Sequence, residues 1–394
     1  MRGMKLFCLV GALLLLPLSA TAAEVEVYNP AGVRTDGKHV DFFIRKSMDE
    51  QKITVPPLSN RFTPGTTEKI QVKDNAETEI NRLFLLRGWS DGLPIILPTP
   101  ERVEKMLEGT DYAPEDVIAT LKPLDGQATV EKLAVNAVMA GCRPEHFPFL
   151  IAAVSALTSN GFDQLGPATT TGYETHMMLI SGPAARQIDL NSGTGTLGRG
   201  VHGNAALGRA FHLAVQNIGG SVPGVTDMSN HGNPGEFAMC AVENNDANPW
   251  SPIHMTEGYP ELSNVVNVAA VGSVVQIIHI GITNEELLDR VALAMTPHLK
   301  WRPAGIWLMP PDTAKELFKA GYTIDSLIAE INRRLGPDKA PSEIKIMVTG
   351  GPGEKNLVLE GWYAMKNLTH KEVELPALWD TLVEEARADL TPGR

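Results

Sequence analysis

The sequence predicts an α/β protein: a largely parallel sheet with helices, two lobes, and an extended N-terminal arm. Three observations predict it. In the last third, short β-branched runs alternate with helix-length segments, which implies crossover connections between parallel strands. The middle carries helices with clear start and stop signals. The composition, 43% hydrophobic and 20% charged, is that of an ordinary globular core. The expected division is residues 1–22 as a signal peptide, 23–75 as the arm, 76–260 as one lobe and 261–394 as the other.

Arg2 and Lys5 open a basic start, Leu6 to Leu18 is apolar, and Ala20-Thr21-Ala22 supplies small residues for cleavage. That apolar run is about 13 residues, whereas a spanning helix needs about 20. A mature chain of roughly 370 residues, periplasmic or secreted and without a membrane anchor, is expected. Residues 23–75 lack sustained periodicity and contain Pro56-Pro57 and Pro64-Gly65, so they read as an arm that wraps the domain or stays mobile.

A helix over Glu79–Arg87, capped by Thr78, ends at Gly88. Ile95–Leu97 reads as a short strand, and Thr99 with Pro100 opens the next helix. Val130–Ala140 is helical and stops at Gly141, and another helix starts at Pro144. A further helix lies between Asn204 and Gln216. Ser221 to Tyr259, rich in Gly, Asn, Pro and Asp, reads as a long loop, and such loops inside compact domains are usually functional. Then follow strands at Val265–Ala270 and Ser273–Ile280 and a helix at Asn284–Met295. A strand at Gly305–Met309 precedes helices at Thr313–Ala320 and Thr323–Leu335, and the strand Ile344–Val348 runs into Gly350-Gly351-Pro352-Gly353.

The net charge of −12, with no basic cluster, argues against a nucleic-acid partner, because that affinity rests on neutralising phosphates with Lys and Arg. Signal cleavage removes Cys8 and leaves Cys142 and Cys240, too few for a disulfide-built fold. The two are bridged, inert, or reactive.

Cys142 just before a proline-initiated helix would feel unpaired amides and the positive end of a dipole. With Arg143 beside it and His146 one turn on, it reads as a thiolate nucleophile with a nearby base. Gly193-x-Gly195-x-x-Gly198 matches a dinucleotide fingerprint by letter, but Pro183–Leu190 separates it from any strand, and its helix starts only near Asn204. Nicotinamide and flavin are therefore not expected. The looser expectation is a ligand-binding loop of Ser192, Gly193, Gly195 and Asn204, with Arg199 and Arg209 near an anionic or carbonyl group. His146, His176, His202, His212, His231 and His254 lack a metal-site spacing. Together with Glu174, Asp189, Glu236, Glu243 and Asp246 they leave a metal ion open as a cofactor. Phe237–Asn245 reads as a strand through Cys240 that delivers Glu243 as a general base and Asn244 as a ligand contact. The glycine turn after Val348 lies where open α/β sheets gather ligands.

Gly88-Trp-Ser-Asp-Gly-Leu-Pro, Met139-Ala-Gly-Cys-Arg-Pro-Glu-His, Asn191-Ser-Gly-Thr-Gly, Asn204 with Gly208-Arg209, Cys240 with Glu243-Asn244, and the Gly350-Gly-Pro-Gly turn together resemble an uncharacterised bacterial family, over about residues 78–365. That family is associated with small thiol or selenol proteins bearing a Sec/Cys-Gly-Ser-Cys motif. The functional expectation is an exported enzyme acting on a small molecule through Cys142, His146, Cys240 and Glu243, by hydrolysis, elimination or redox chemistry. A small-solute binding protein, a homo-oligomer and a subunit of a larger complex are the rival expectations.

Overall fold

The computed structural model describes residues 23–31, 67–73, 75–159, 161–200, 202–295, 304–336, 343–362 and 368–390. The expected signal peptide and the Pro56-Pro57 and Pro64-Gly65 stretches lie outside them.

The described ends of the arm are a ribbon, β1 (Ala23–Tyr28) paired antiparallel with β2 (Thr67–Val72). Val27 and Val72 are buried against the main core, and Tyr28 N–H donates to the Pro98 carbonyl. Next come α1 (Ala76–Leu86) and α2 (Pro100–Leu107). Asn75, not Thr78, caps α1, accepting from Thr78 N–H at 2.9 Å, so the helix begins three residues earlier than the apolar pattern suggests. Residues 95–97 are extended but form no strand, because Ile96 N–H pairs with the Met139 carbonyl at the end of a helix.

A small hairpin of β3 (Val117–Leu121) and β4 (Gly126–Thr129) leads into α3 (Val130–Ala140), capped by Thr129 and stopped by Gly141 in the left-handed region. After a 3-10 turn at Pro144–His146 come α4 (Phe147–Ala156), α5 (Leu165–Thr169) and β5 (Thr175–Ser181). Then follow α6 (His202–Ala214), β6 (Cys240–Val242), α7 (Ile253–Thr256) and β7 (Val265–Ile278). The last third holds α8 (Asn284–Ala294), β8 (Ala304–Met309), α9 (Pro311–Lys319), α10 (Ile324–Leu335), β9 (Glu343–Val348), β10 (Lys355–Gly361), β11 (Leu368–Glu372) and α11 (Trp379–Leu390).

One sheet runs in the order β6-β5-β7-β10-β8-β9, with β11 also paired to β7. The alternation rule holds where a helix crosses between two strands: β5 with β6 and β8 with β9 are parallel. The other pairings are antiparallel, because β10 follows β9 through the short Gly350–Gly353 turn, runs back, and inserts between β7 and β8. The sheet is thus mixed. The two strands read around Gly272 are one continuous strand, and the register shift falls on β10 between Leu359 and Gly361.

Successive side chains along each strand face opposite sides. Met178, Ile180, Cys240 and Val242 pack beneath α3, α4 and α6, whereas Trp307, Met309, Ile346 and Val348 pack beneath α8, α9 and α10. The alternate residues, including Met177, Leu179, Ala241, Leu308 and Met347, form a third cluster inside the curl of the sheet. The curl brings its outer strands together: Asn244 N–H donates to the Val348 carbonyl at 2.8 Å and Thr349 Oγ1 to the Val242 carbonyl at 2.6 Å. Among the described residues, no helix is long and apolar enough to cross a membrane.

Candidate functional site

At the end of α3, Gly141 turns the chain (φ 90°) and Cys142 N–H folds back onto the Ala137 carbonyl at 2.9 Å. Arg143 then opens the 3-10 turn, and its N–H donates to His146 Nδ1 at 3.1 Å. With Nδ1 accepting, the imidazole hydrogen sits on Nε2, which meets Asp189 Oδ1 at 2.5 Å. The other carboxylate oxygen of Asp189 meets His202 Nδ1 at 3.1 Å, at the first residue of α6. The Arg143 guanidinium spans two acids, Nη2 lying 3.2 Å from Asp189 Oδ1 and Nε 2.7 Å from Glu145 Oε1. Gly203 allows this closeness, since a Cβ there would stand 2.7 Å from Asp189 Oδ1.

Burial grades this cluster. Glu145 and His146 are buried, the Asp189 side chain is 10% exposed, and that of His202 is 54% exposed. Burial alone would raise the Asp189 carboxyl, but hydrogen bonds from His146 and His202 and the Arg143 charge hold it well below the usual carboxylate range. The helix start of α6 favours the same anionic state. The bond to Asp189 in turn raises His202 above its ordinary value. One largely enclosed carboxylate therefore orients a solvent-facing imidazole through Nδ1, an arrangement that serves proton transfer.

The thiolate expected at Cys142 is corrected by this geometry. Its amide closes α3 instead of opening the next helix, its thiol is buried, and Arg143 is turned towards the two acids. Burial, with the nearby Asp189 charge, pushes the Cys142 thiol far up. Burial likewise pushes Cys240 up to about 12. Both cysteines are free thiols.

A second convergence lies where the outer strands meet. Gly350 N–H donates to the Ser192 carbonyl at 2.9 Å, and Asn191 Oδ1 accepts from Gly193 N–H at 2.8 Å. Gly195 takes a left-handed turn (φ 78°) that residues with a Cβ rarely adopt. Asn204 staples this loop from within, donating to the carbonyls of Asn191 and Thr196 and accepting from Asn191 N–H. Residues 194–198 and 349–355, with Ile280, Leu308, Pro310 and Leu357, line an open and largely apolar cleft of about 760 Å³. Gly351 is required there, because a Cβ would stand 2.0 Å from Thr194 Oγ1. Asn244 borders this region through its main chain and caps the turn at Ala247 N–H.

Glu243 points elsewhere, into the curl. Its carboxylate bonds Ser181 Oγ, Asn248 Nδ2 at 2.9 Å and Ile253 N–H at 3.1 Å, and Ser181 Oγ lies 2.7 Å from His254 Nδ1. His254 Nε2 faces the Glu261 carbonyl at 3.1 Å, so that nitrogen carries a hydrogen. Ser181 Oγ–H donates to the Glu243 carboxylate, which links Glu243, Ser181 and His254 into one buried chain. Burial raises Glu243 to about 7. Ser181, Glu243 and His254 are all buried, and this relay does not touch the Asp189 cluster.

Arg209 is paired with Asp91 through Nε at 2.7 Å and Nη2 at 2.8 Å, which ties α6 to the Trp89–Pro94 segment. Asp246 pairs with Arg186, and Glu236 caps the 3-10 turn at Pro234–Phe237. His176 and His212 lie together away from Asp189, held neutral by burial at about 4 and about 3. The residues missed as a unit are Asp189, His202 and Glu145. Their sequence signals were an acid and a histidine beside a glycine-rich loop, with nothing to join them to Arg143. Compared with known proteins, the chain matches no family model and no curated protein.

Proposed function

We propose that the protein is an exported enzyme that performs acid–base chemistry, hydrolytic or eliminative, on a small molecule, with His202 as the proton-transferring group. The observation that carries this reading is the one carboxylate of Asp189, which holds a buried His146, the Arg143 guanidinium and the exposed His202 at once. Asp189 fixes the imidazole edge and favours its charged form. Arg143 and His146 keep Asp189 ionised, so they are positioning residues. The protonated thiols of Cys142 and Cys240 favour this route over attack by a resting thiolate. The basic, apolar and small-residue segments of positions 1–22 support export.

The test is a panel of small esters, amides, lactones and hydroxy acids incubated with the mature protein and followed by mass spectrometry. Turnover that His202→Gln abolishes, with circular dichroism unchanged, supports the reading. Turnover that survives both His202→Gln and Asp189→Asn refutes it.

A second reading, capture of a small solute with an apolar face and a polar edge, is favoured by the cleft between residues 194–198 and 349–355. Its volume is in the range of pockets that enclose small ligands, and it offers Thr hydroxyls, glycine amides and Lys355. Thermal stabilisation by a panel compound that is never converted would favour capture over catalysis.

A further inference from the structure

His176 on β5 and His212 on α6 border one small cavity of about 60 Å³, and its wall also carries Glu174, Asp227 and Glu236. No Lys or Arg is among the lining residues. His176 is 4% exposed, and Nε2 of each ring is buried without a hydrogen-bond partner. An imidazole whose hydrogen sits on Nδ1 presents a lone pair at Nε2, the neutral form that binds metals. Leaving two such nitrogens buried and unbonded is unfavourable, by about 1–3 kcal/mol each, and an occupant that accepts their lone pairs removes the penalty.

The Glu145, His146 and Asp189 cluster makes a useful contrast. Its ligand atoms all lie within 4.8 Å of one another, yet Arg143 already supplies the positive charge there, and both His146 nitrogens are bonded. Around His176 and His212 no side-chain cation stands in for an ion. No three residues of this cavity bring ligand atoms within 4.8 Å of one another, and its volume accommodates an ion with one or two waters.

We propose that this cavity binds one divalent transition-metal ion through His176 Nε2, His212 Nε2 and a carboxylate oxygen of Asp227 or Glu236, with water completing the shell. Imidazole nitrogen and carboxylate oxygen without thiolate suit zinc, iron or manganese. Ion entry draws a carboxylate inward, and the site stands independently of the Asp189 reading.

The test strips the mature protein with chelator, removes the chelator, and titrates zinc chloride by calorimetry, with cobalt absorbance as a second readout. One ion per chain is expected. His176→Gln and His212→Gln should each weaken binding by ~100-fold or more, since changes even to groups that only support a ligand weaken metals 10–100-fold. His202→Gln should bind as wild type. Should either cavity histidine variant fail to fold, Glu236→Gln, at a half-buried position, is expected to weaken binding at least ~tenfold. Absence of binding overturns the proposal. So does affinity unchanged in every folded cavity variant, or affinity lost in His202→Gln.

Discussion

Asp189→Asn keeps the shape of the side chain and removes the charge that three groups share. The amide retains one acceptor oxygen, so either His146 Nε2 or His202 Nδ1 then faces an amide donor. A hydrogen bond to a charged group contributes ~1.5–3 kcal/mol, and stranding one member of a buried ion pair costs ~3–5 kcal/mol. Arg143 keeps Glu145 at 2.7 Å, so its charge is not stranded and the lower range applies, about 2–3 kcal/mol.

The pH dependence has a definite sign. Asp189 has a depressed folded pKa, so its contribution is present above the unfolded value near 3.8 and is lost only as pH falls through the folded value. His202 has a raised pKa, so its share is complete below about 6.5 and is lost as pH rises through its folded value. The deficit of Asp189→Asn should therefore be larger at about pH 6 than at about pH 9. Urea unfolding followed by circular dichroism measures both. A deficit below ~0.5 kcal/mol at the lower pH, the size of an ordinary surface substitution, would refute the reasoning. An equal deficit at both pH values would remove His202 from the network.

Glu243 is raised from 4.5 to about 7, so its share of stability is full below the lower value and is lost as pH rises through the upper one. Glu243→Gln should flatten that decline, and a variant that declines as wild type does would remove Glu243 from the relay. Cys142 and Cys240 should react with a thiol reagent only after denaturation; rapid reaction of either in the native state, or of neither in the unreduced denatured state, contradicts two buried free thiols. Gly351→Ala should push Thr194 aside, lowering stability by ~1–3 kcal/mol as overpacking does, and should abolish any ligand-induced thermal shift that depends on the cleft. A shift of wild-type size in that variant would place the ligand elsewhere.

Helices with local punctuation were legible in the sequence. Val130–Ala140 runs between the Thr129 cap and Gly141, and Asn284–Ala294 and Ile324–Leu335 are opened by capping boxes at Thr283 and Thr323. Sheet order was not legible, because β10 pairs with β7 and β8, and no local pattern at Lys355–Gly361 names those partners. The glycine turn at 350–353 and the 191–198 loop were each visible as ligand-facing segments, yet their meeting depends on the curl of the whole sheet. Cys142 shows the limit of local reasoning. A cysteine before Arg-Pro announces a helix start, but the amide folds back to Ala137 and the guanidinium turns to Glu145 and Asp189. Only tertiary packing decides which neighbour that charge serves. Asp189 and His202 had no distinguishing spacing, since the carboxylate gathers partners from two separated segments, the 143–146 turn and the helix start at His202.

Asp189 holds His202 as an accessible, charge-favoured imidazole. Nuclear magnetic resonance titration of the histidine side chains in wild type and Asp189→Asn tests it directly. In the wild type His202 should titrate above 6.5 and carry its hydrogen on Nδ1 when neutral, and in the variant it should fall back towards the ordinary value. The same titration midpoint for His202 in both proteins would contradict it.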